Sequence, residues 1–126
     1  MAFNTTIIEE GHSNYIIQVA GDPVDAAAVL VDVSALNPPC AGVRLMRATY
    51  DCGPGVEVVL SYDGATGEFL NMSEGSGQTM CYKKIGGIPN RVVGGSGDVL
   101  ITSAGAAPAS YSMTLHFKKQ APVIPL

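Results

Sequence analysis

The sequence has no tryptophan, and only 14% of its residues are charged. A charge fraction near one quarter is usual for soluble domains. The surface this chain can present is therefore largely neutral, of the kind that neighbouring subunits cover. Bases are few: Arg44, Arg47, Lys83, Lys84, Arg91, Lys118 and Lys119. With a net charge of −4 and no stretch that interleaves bases with aromatics, the chain lacks the basic footprint of a nucleic-acid binder, and no nucleic-acid partner is expected. Long apolar runs are missing too. AAAVLV, 26–31, is the longest and cannot span a bilayer, so no membrane partner is expected. The opening MAFNTTIIEEGHS has no basic segment leading into an apolar one, so no signal peptide is expected. The three cysteines, Cys40, Cys52 and Cys81, form no CxxC pair. That excludes a zinc ribbon and a thioredoxin-type motif, and buried reduced thiols are the expectation.

The histidines are two, His12 and His116, too few to build a metal site at matched spacing. Glu9 and Glu10 are adjacent, and neighbours on a strand point to opposite faces. The run GGSG, 94–97, misses the nucleophile-elbow pattern by one position. No catalytic residue, metal or cofactor is expected, and the chain is read as a non-enzyme.

The glycine-rich stretch IGGIPNRVVGGSGDVLIT, 85–102, tests the phosphate-loop idea directly. Leu100 stands where the third glycine of GxGxxG belongs, and no Gly-Lys-Ser/Thr follows. DVLIT, 98–102, reads as a strand, so no helix dipole faces the loop, and Asp98 adds a negative charge beside it. These glycines are expected to supply positive φ angles and close backbone approach in an inter-strand loop.

What the sequence does have is alternation of period two. YSMTLHF sets Tyr111, Met113, Leu115 and Phe117 on one face, and Ser112, Thr114 and His116 on the other. VEVVLSY sets Val56, Val58, Leu60 and Tyr62 together, and NYIIQVA does so for Tyr15, Ile17 and Val19. VLVDV places Val29, Val31 and Val33 on one side. VRLMRATY, 43–50, is strand-like with a broken pattern that a bulge near Arg47 explains. LSYDGATGEFL reads as a hairpin with DGATGE at its tip, and one short helical turn at most is expected near Asp22 and Pro23. Tyr62 and Tyr111 belong to apolar faces and are expected in the core. Turn signals recur between the runs, at Gly21-Asp22-Pro23, Asn37-Pro38-Pro39, Gly53-Pro54-Gly55, Asp63-Gly64, Gly75-Ser76-Gly77 and 105–108. This rhythm predicts an all-β antiparallel sandwich, a jelly roll, in a single domain. Its core is expected at roughly 11–119, with extended arms at 1–10 and 120–126. The tail KKQAPVIPL carries two prolines and an apolar tip, and reads as an arm that docks on a neighbour. Interface residues are expected at Phe3, Ile7, Ile8, Arg44, Arg47, Val123, Ile124 and Leu126.

The order of these segments resembles a group of small virion structural proteins of tailed phages that infect cyanobacteria and related hosts. The resemblance runs from Val31-Asp32-Val33-Ser34-Ala35-Leu36 through VRLMRATY and VEVVLSYDGATGEF. It continues through Ile85-Gly86-Gly87-Ile88-Pro89-Asn90, then Gly97-Asp98-Val99-Leu100-Ile101-Thr102, to Tyr111-Ser112-Met113-Thr114-Leu115. It covers most of 29–117. Tryptophan near the two central strands, a feature of that group, is missing here, and the section between Cys40 and Cys52 and the PVIPL tail depart from it. The resemblance implies a decoration, or cement, protein. Such a protein is made in the bacterial host cytoplasm and sits on the capsid exterior at capsomer junctions. Its partners would be the major capsid protein and further copies of itself in a homotrimer. Two other readings stand beside it: a tail, neck or fibre-base subunit, and a non-catalytic glycan-binding β module using its tyrosines and loop tips.

Overall fold

A computed structural model gives the fold. The structure describes residues 3–11, 13–22, 28–36, 40, 42–63, 68–72, 75–82, 84, 87–88, 97–105 and 110–120. Among these are the strands β1 (Phe3–Glu10), β2 (Asn14–Gly21), β3 (Ala28–Val31), β4 (Gly42–Cys52), β5 (Glu57–Tyr62), β6 (Glu68–Met72), β7 (Gly75–Cys81), β8 (Val99–Ala104) and β9 (Tyr111–Gln120). A 3₁₀ turn, Val33–Ala35, follows β3.

The strands form two antiparallel sheets, in the orders β1-β2-β9-β4-β7 and β3-β8-β5-β6. The pairs β2·β9, β3·β8, β4·β7 and β5·β6 describe one long hairpin folded about the β5–β6 turn. Rolling that hairpin adds the pairs β4·β9 and β5·β8. This is the jelly-roll topology, with two Greek keys in one chain. The sheets share one core. Ile17, Val19, Val43, Leu45, Leu115 and Phe117 from the first sheet meet Val31, Val58, Leu60, Tyr62, Val99 and Ile101 from the second.

Local sequence explains most elements. Tyr15, Ile17 and Val19 on β2 are buried, as are Val58, Leu60 and Tyr62 on β5 and Tyr111, Met113, Leu115 and Phe117 on β9. On β4 the register against β9 shifts between Leu45 and Arg47. The extra residue is Met46, so Leu45 and Ala48 both face the core while Arg44 and Arg47 both face outward. The Gly53-Pro54-Gly55-Val56 turn closes with Val56 N–H on the Gly53 carbonyl (3.1 Å). Gly55 takes φ +73°, the geometry of a type II turn with proline second and glycine third.

Three expectations need correction. Residues 3–10, expected as an extended arm outside the core, are the strand β1, paired with β2 from Phe3↔Gly21 to Glu10↔Tyr15. At the other end the ladder of β9 and β4 runs to Gln120, paired with Gly42. Gly75-Ser76-Gly77 is not a turn but the start of β7, held as a strand by its pairing with β4. Val29, Val31 and Val33 do not share a face. A bulge in the β3·β8 pairing between Val29 and Val31 turns Val29 out, and Val33 already belongs to the 3₁₀ turn. Asp32 caps that turn by accepting from the Ser34 N–H (3.1 Å) and hydroxyl (2.6 Å). The helical turn expected near Pro23, the tip of the β5–β6 hairpin and residues 121–126 lie outside the described residues.

Candidate functional site

The uncovered flank of the sandwich lies along β1. Consecutive strands pass between the sheets at β2–β3, β3–β4, β4–β5, β6–β7, β7–β8 and β8–β9, and β1 lies beyond β2 at the edge of the first sheet. Residues paired across an antiparallel ladder point to the same face. Thr5 is paired with buried Val19, and Ile7 with buried Ile17, so both belong to the core-side face. The second sheet does not reach that far, and Ile7 stays 54% exposed. Ile8, the extra residue of a bulge between Ile7 and Glu9, is 56% exposed. Phe3 is half-buried against the core cluster. Val29, the other large apolar side chain exposed among the described residues, sits on β3, an edge strand of the second sheet.

The far end of β1 is tied down. Lys119, on the inward face of β9, has a side chain only 2% exposed, and its ammonium lies 3.7 Å from a Glu10 carboxylate oxygen. The Lys119 N–H donates to the Ser13 carbonyl at 2.6 Å. The Tyr15 hydroxyl is pushed above its ordinary pKa by burial and by the negative charge of Glu10.

Arg44 and Arg47 belong elsewhere. They are on β4, separated from β1 by the two strands β2 and β9, and project from the outer face of the first sheet. Arg47 is exposed and lies between His116 of β9 and Cys81 of β7 in the ladders. His116 is half-buried on the outer face of the first sheet, with its imidazole Nε2 3.2 Å from the Asn14 side-chain oxygen. The expected interface set is thus split: Phe3, Ile7 and Ile8 share an edge, Arg44 and Arg47 share a face, and Val123, Ile124 and Leu126 lie outside the described residues. His12 does as well.

One further concavity escaped the sequence reading. An open groove of about 710 Å³ at the end of the first sheet is lined by Asn4, Asp22, Asp51, Ser110 and Ser112 over Tyr111 and Cys52. Its carboxylates sit at strand ends, where turn residues are common, and nothing in their sequence spacing brings them together. Burial and the adjacent Asp51 push the Cys52 thiol up in pKa, which makes it a poorer nucleophile. Cys52 is buried, Cys40 half-buried and Cys81 exposed, so buried thiols describe only one of the three. Among the described residues, no three His, Cys, Asp or Glu side chains converge as metal ligands.

In the glycine stretch, Gly87 and Gly97 do have positive φ, +90° and +88°. Gly87 approaches β4 closely: a Cβ there would lie 2.7 Å from Met46 Sδ and 3.0 Å from Arg44 Cβ. The Asp98 carboxylate accepts from the Val33 N–H at 3.0 Å and so holds the 3₁₀ turn. Tyr62 donates its hydroxyl to the Ile88 carbonyl at 2.6 Å, and burial pushes its pKa up to about 12. These described parts of the loop serve packing.

No protein-family model matches the chain, and no curated protein does. Among solved structures it is similar to a cupin domain from Bordetella pertussis Tohama I, at 9% identity and a TM-score of 0.39, with 95% of each chain covered.

Proposed function

We propose that this chain is a structural protein of a phage virion, a decoration (cement) protein on the capsid exterior that seats at capsomer junctions and stabilises the shell. The observation that supports the reading is the β1 flank: a strand with, among the described residues, no neighbour on its outer side and with exposed Ile7 and Ile8, on a sandwich with few charges. An edge of this kind is a template for strand addition by a neighbour. Modest contacts repeated over many copies sum to large shell stability. The partners are the major capsid protein and further copies of this chain. A trimer suits a three-fold junction, and a dimer suits a two-fold one.

The test is co-sedimentation with undecorated phage capsids. The full chain is expected to bind, and a chain ending at Gln120 is expected to keep its melting temperature but bind at least tenfold more weakly. Equal binding by both forms would remove the tail from the interface, and no binding by either would sink the capsid reading. A solution mass of six chains would point instead to a ring in the tail or neck.

The groove over Tyr111 favours a second reading, a saccharide-binding module. Two carboxylates, an amide and two hydroxyls can accept and donate to sugar hydroxyls. A panel of neutral oligosaccharides that raised the melting temperature would favour it over the capsid role.

A further inference from the structure

We propose that β1 pairs with β1 of a second copy of this chain about a two-fold axis, joining two five-stranded sheets into one ten-stranded sheet. The proposal deepens the reading of β1 as the docking edge by naming what covers it.

β1 has β2 on one side and, among the described residues, no strand on the other. Natural edge strands carry lysine, proline, charge or a bulge to block pairing. In β1 those devices are confined to the last three residues: the bulge at Ile8, then Glu9 and Glu10. Phe3 to Ile7 is a regular, unguarded stretch.

That stretch is complementary to itself. A two-fold axis normal to the sheet must set one residue opposite its own copy, because only then do opposed side chains share a face. Centred on Thr5, the antiparallel register sets Phe3 opposite Ile7 of the partner subunit, and Ile7 opposite Phe3 of the partner subunit. Thr5 meets Thr5 of the partner subunit, and Asn4 meets Thr6 of the partner subunit. Phe3, Thr5 and Ile7 belong to the core-side face, so each apolar side chain gains an apolar neighbour on the flank that the second sheet leaves bare. Asn4 and Thr6 belong to the outer face, where polar meets polar. Either phase of the ladder supplies about four to six N–H···O bonds between the copies. Glu9 and Glu10 fall beyond the overlap, at opposite ends of the joint strand pair. A parallel pairing would instead lay them beside their own copies, which repels.

Thr5 sits on the axis and is exposed, so a charge placed there meets itself without disturbing the core. The experiment is size exclusion with light scattering on the full chain, on Thr5→Asp, on Thr5→Lys and on an equimolar mixture of the two. The wild type is expected at about twice the 13.0 kDa chain mass. Each variant alone is expected at the monomer mass, with an unchanged far-ultraviolet circular dichroism spectrum, because like charges face each other across the axis. The mixture is expected to return to the dimer mass, since opposite charges then meet. A wild type that stays monomeric at millimolar concentration would overturn the pairing. So would a wild-type oligomer whose mass both variants leave unchanged, or variants that stay monomeric when mixed. Capsid co-sedimentation is scored separately. A wild-type dimer that ignores capsids would overturn the capsid role and leave the β1 pairing standing.

Discussion

Gly87 and Gly55 have similar backbones and different surroundings, and the contrast separates two costs. Both have φ in the positive region, +90° and +73°. Around Gly55 an added Cβ meets nothing within 4 Å. At Gly87 it would press on Met46 Sδ, Arg44 Cβ and the Leu45 carbonyl. The reason is local: the Gly87 N–H donates to the Tyr82 carbonyl, and the Ile88 N–H donates to the Leu45 carbonyl, so this segment is laid directly against the bulge of β4. Gly55→Ala is expected to cost only the backbone term, roughly 1–2 kcal/mol. Gly87→Ala adds overpacking and is expected to cost roughly 3 kcal/mol. Urea unfolding of both variants checks this. Equal shifts in midpoint would mean that the space around Gly87 is not limiting.

At the scale of elements, what was legible follows the burial of one face. β2, β5 and β9 have one face pressed on the core, and their alternation shows it in sequence. The bulge in β4 was legible because a change of face leaves a visible break between Leu45 and Ala48. β1 was not legible as a strand, because no second sheet covers it and FNTTIIEE therefore carries no alternation. β7 begins with Gly75-Ser76-Gly77, which reads as punctuation, and only the neighbouring β4 makes it a strand. The groove was illegible for a related reason: β1, β2, β4 and β9 meet there through pairings remote in sequence. The anchoring of β1 predicts a local effect. The Lys119 ammonium is buried and Glu10 lies 3.7 Å away, so Glu10→Gln removes a carboxylate that offsets a buried charge. The variant is expected to lose roughly 1–3 kcal/mol. Amide hydrogen exchange in β1 should speed at least tenfold, while exchange at the centre of β9 rises only with global stability. Uniform acceleration across both strands would show that the pair supports the whole domain rather than its edge.

At the scale of the molecule, the rolled hairpin ties the ends of the chain together. β2 and β9 pair from Asn14↔Lys118 to Gly21↔Tyr111, and β9 also pairs with β4 along its length. β9 is therefore central in its sheet, although it is the last strand in the sequence. Its Leu115 is fully buried and packs in the core that both sheets share. If each sheet held itself together, a defect in β9 would loosen only the first. A single shared core instead requires both sheets to be lost at once. Leu115→Ala is expected to cost roughly 2–5 kcal/mol, the usual range for opening a cavity in a core. It should leave the urea m-value unchanged, because the surface exposed on unfolding is the same. Tyr15, Tyr50 and Tyr111 report on the first sheet and Tyr62 on the second. Tyrosine fluorescence of a variant that keeps only Tyr62 should then move with far-ultraviolet circular dichroism, at one midpoint. Two separated transitions, with Tyr62 surviving to higher urea, would show that the sheets are independent units and that the jelly roll does not unfold as one body.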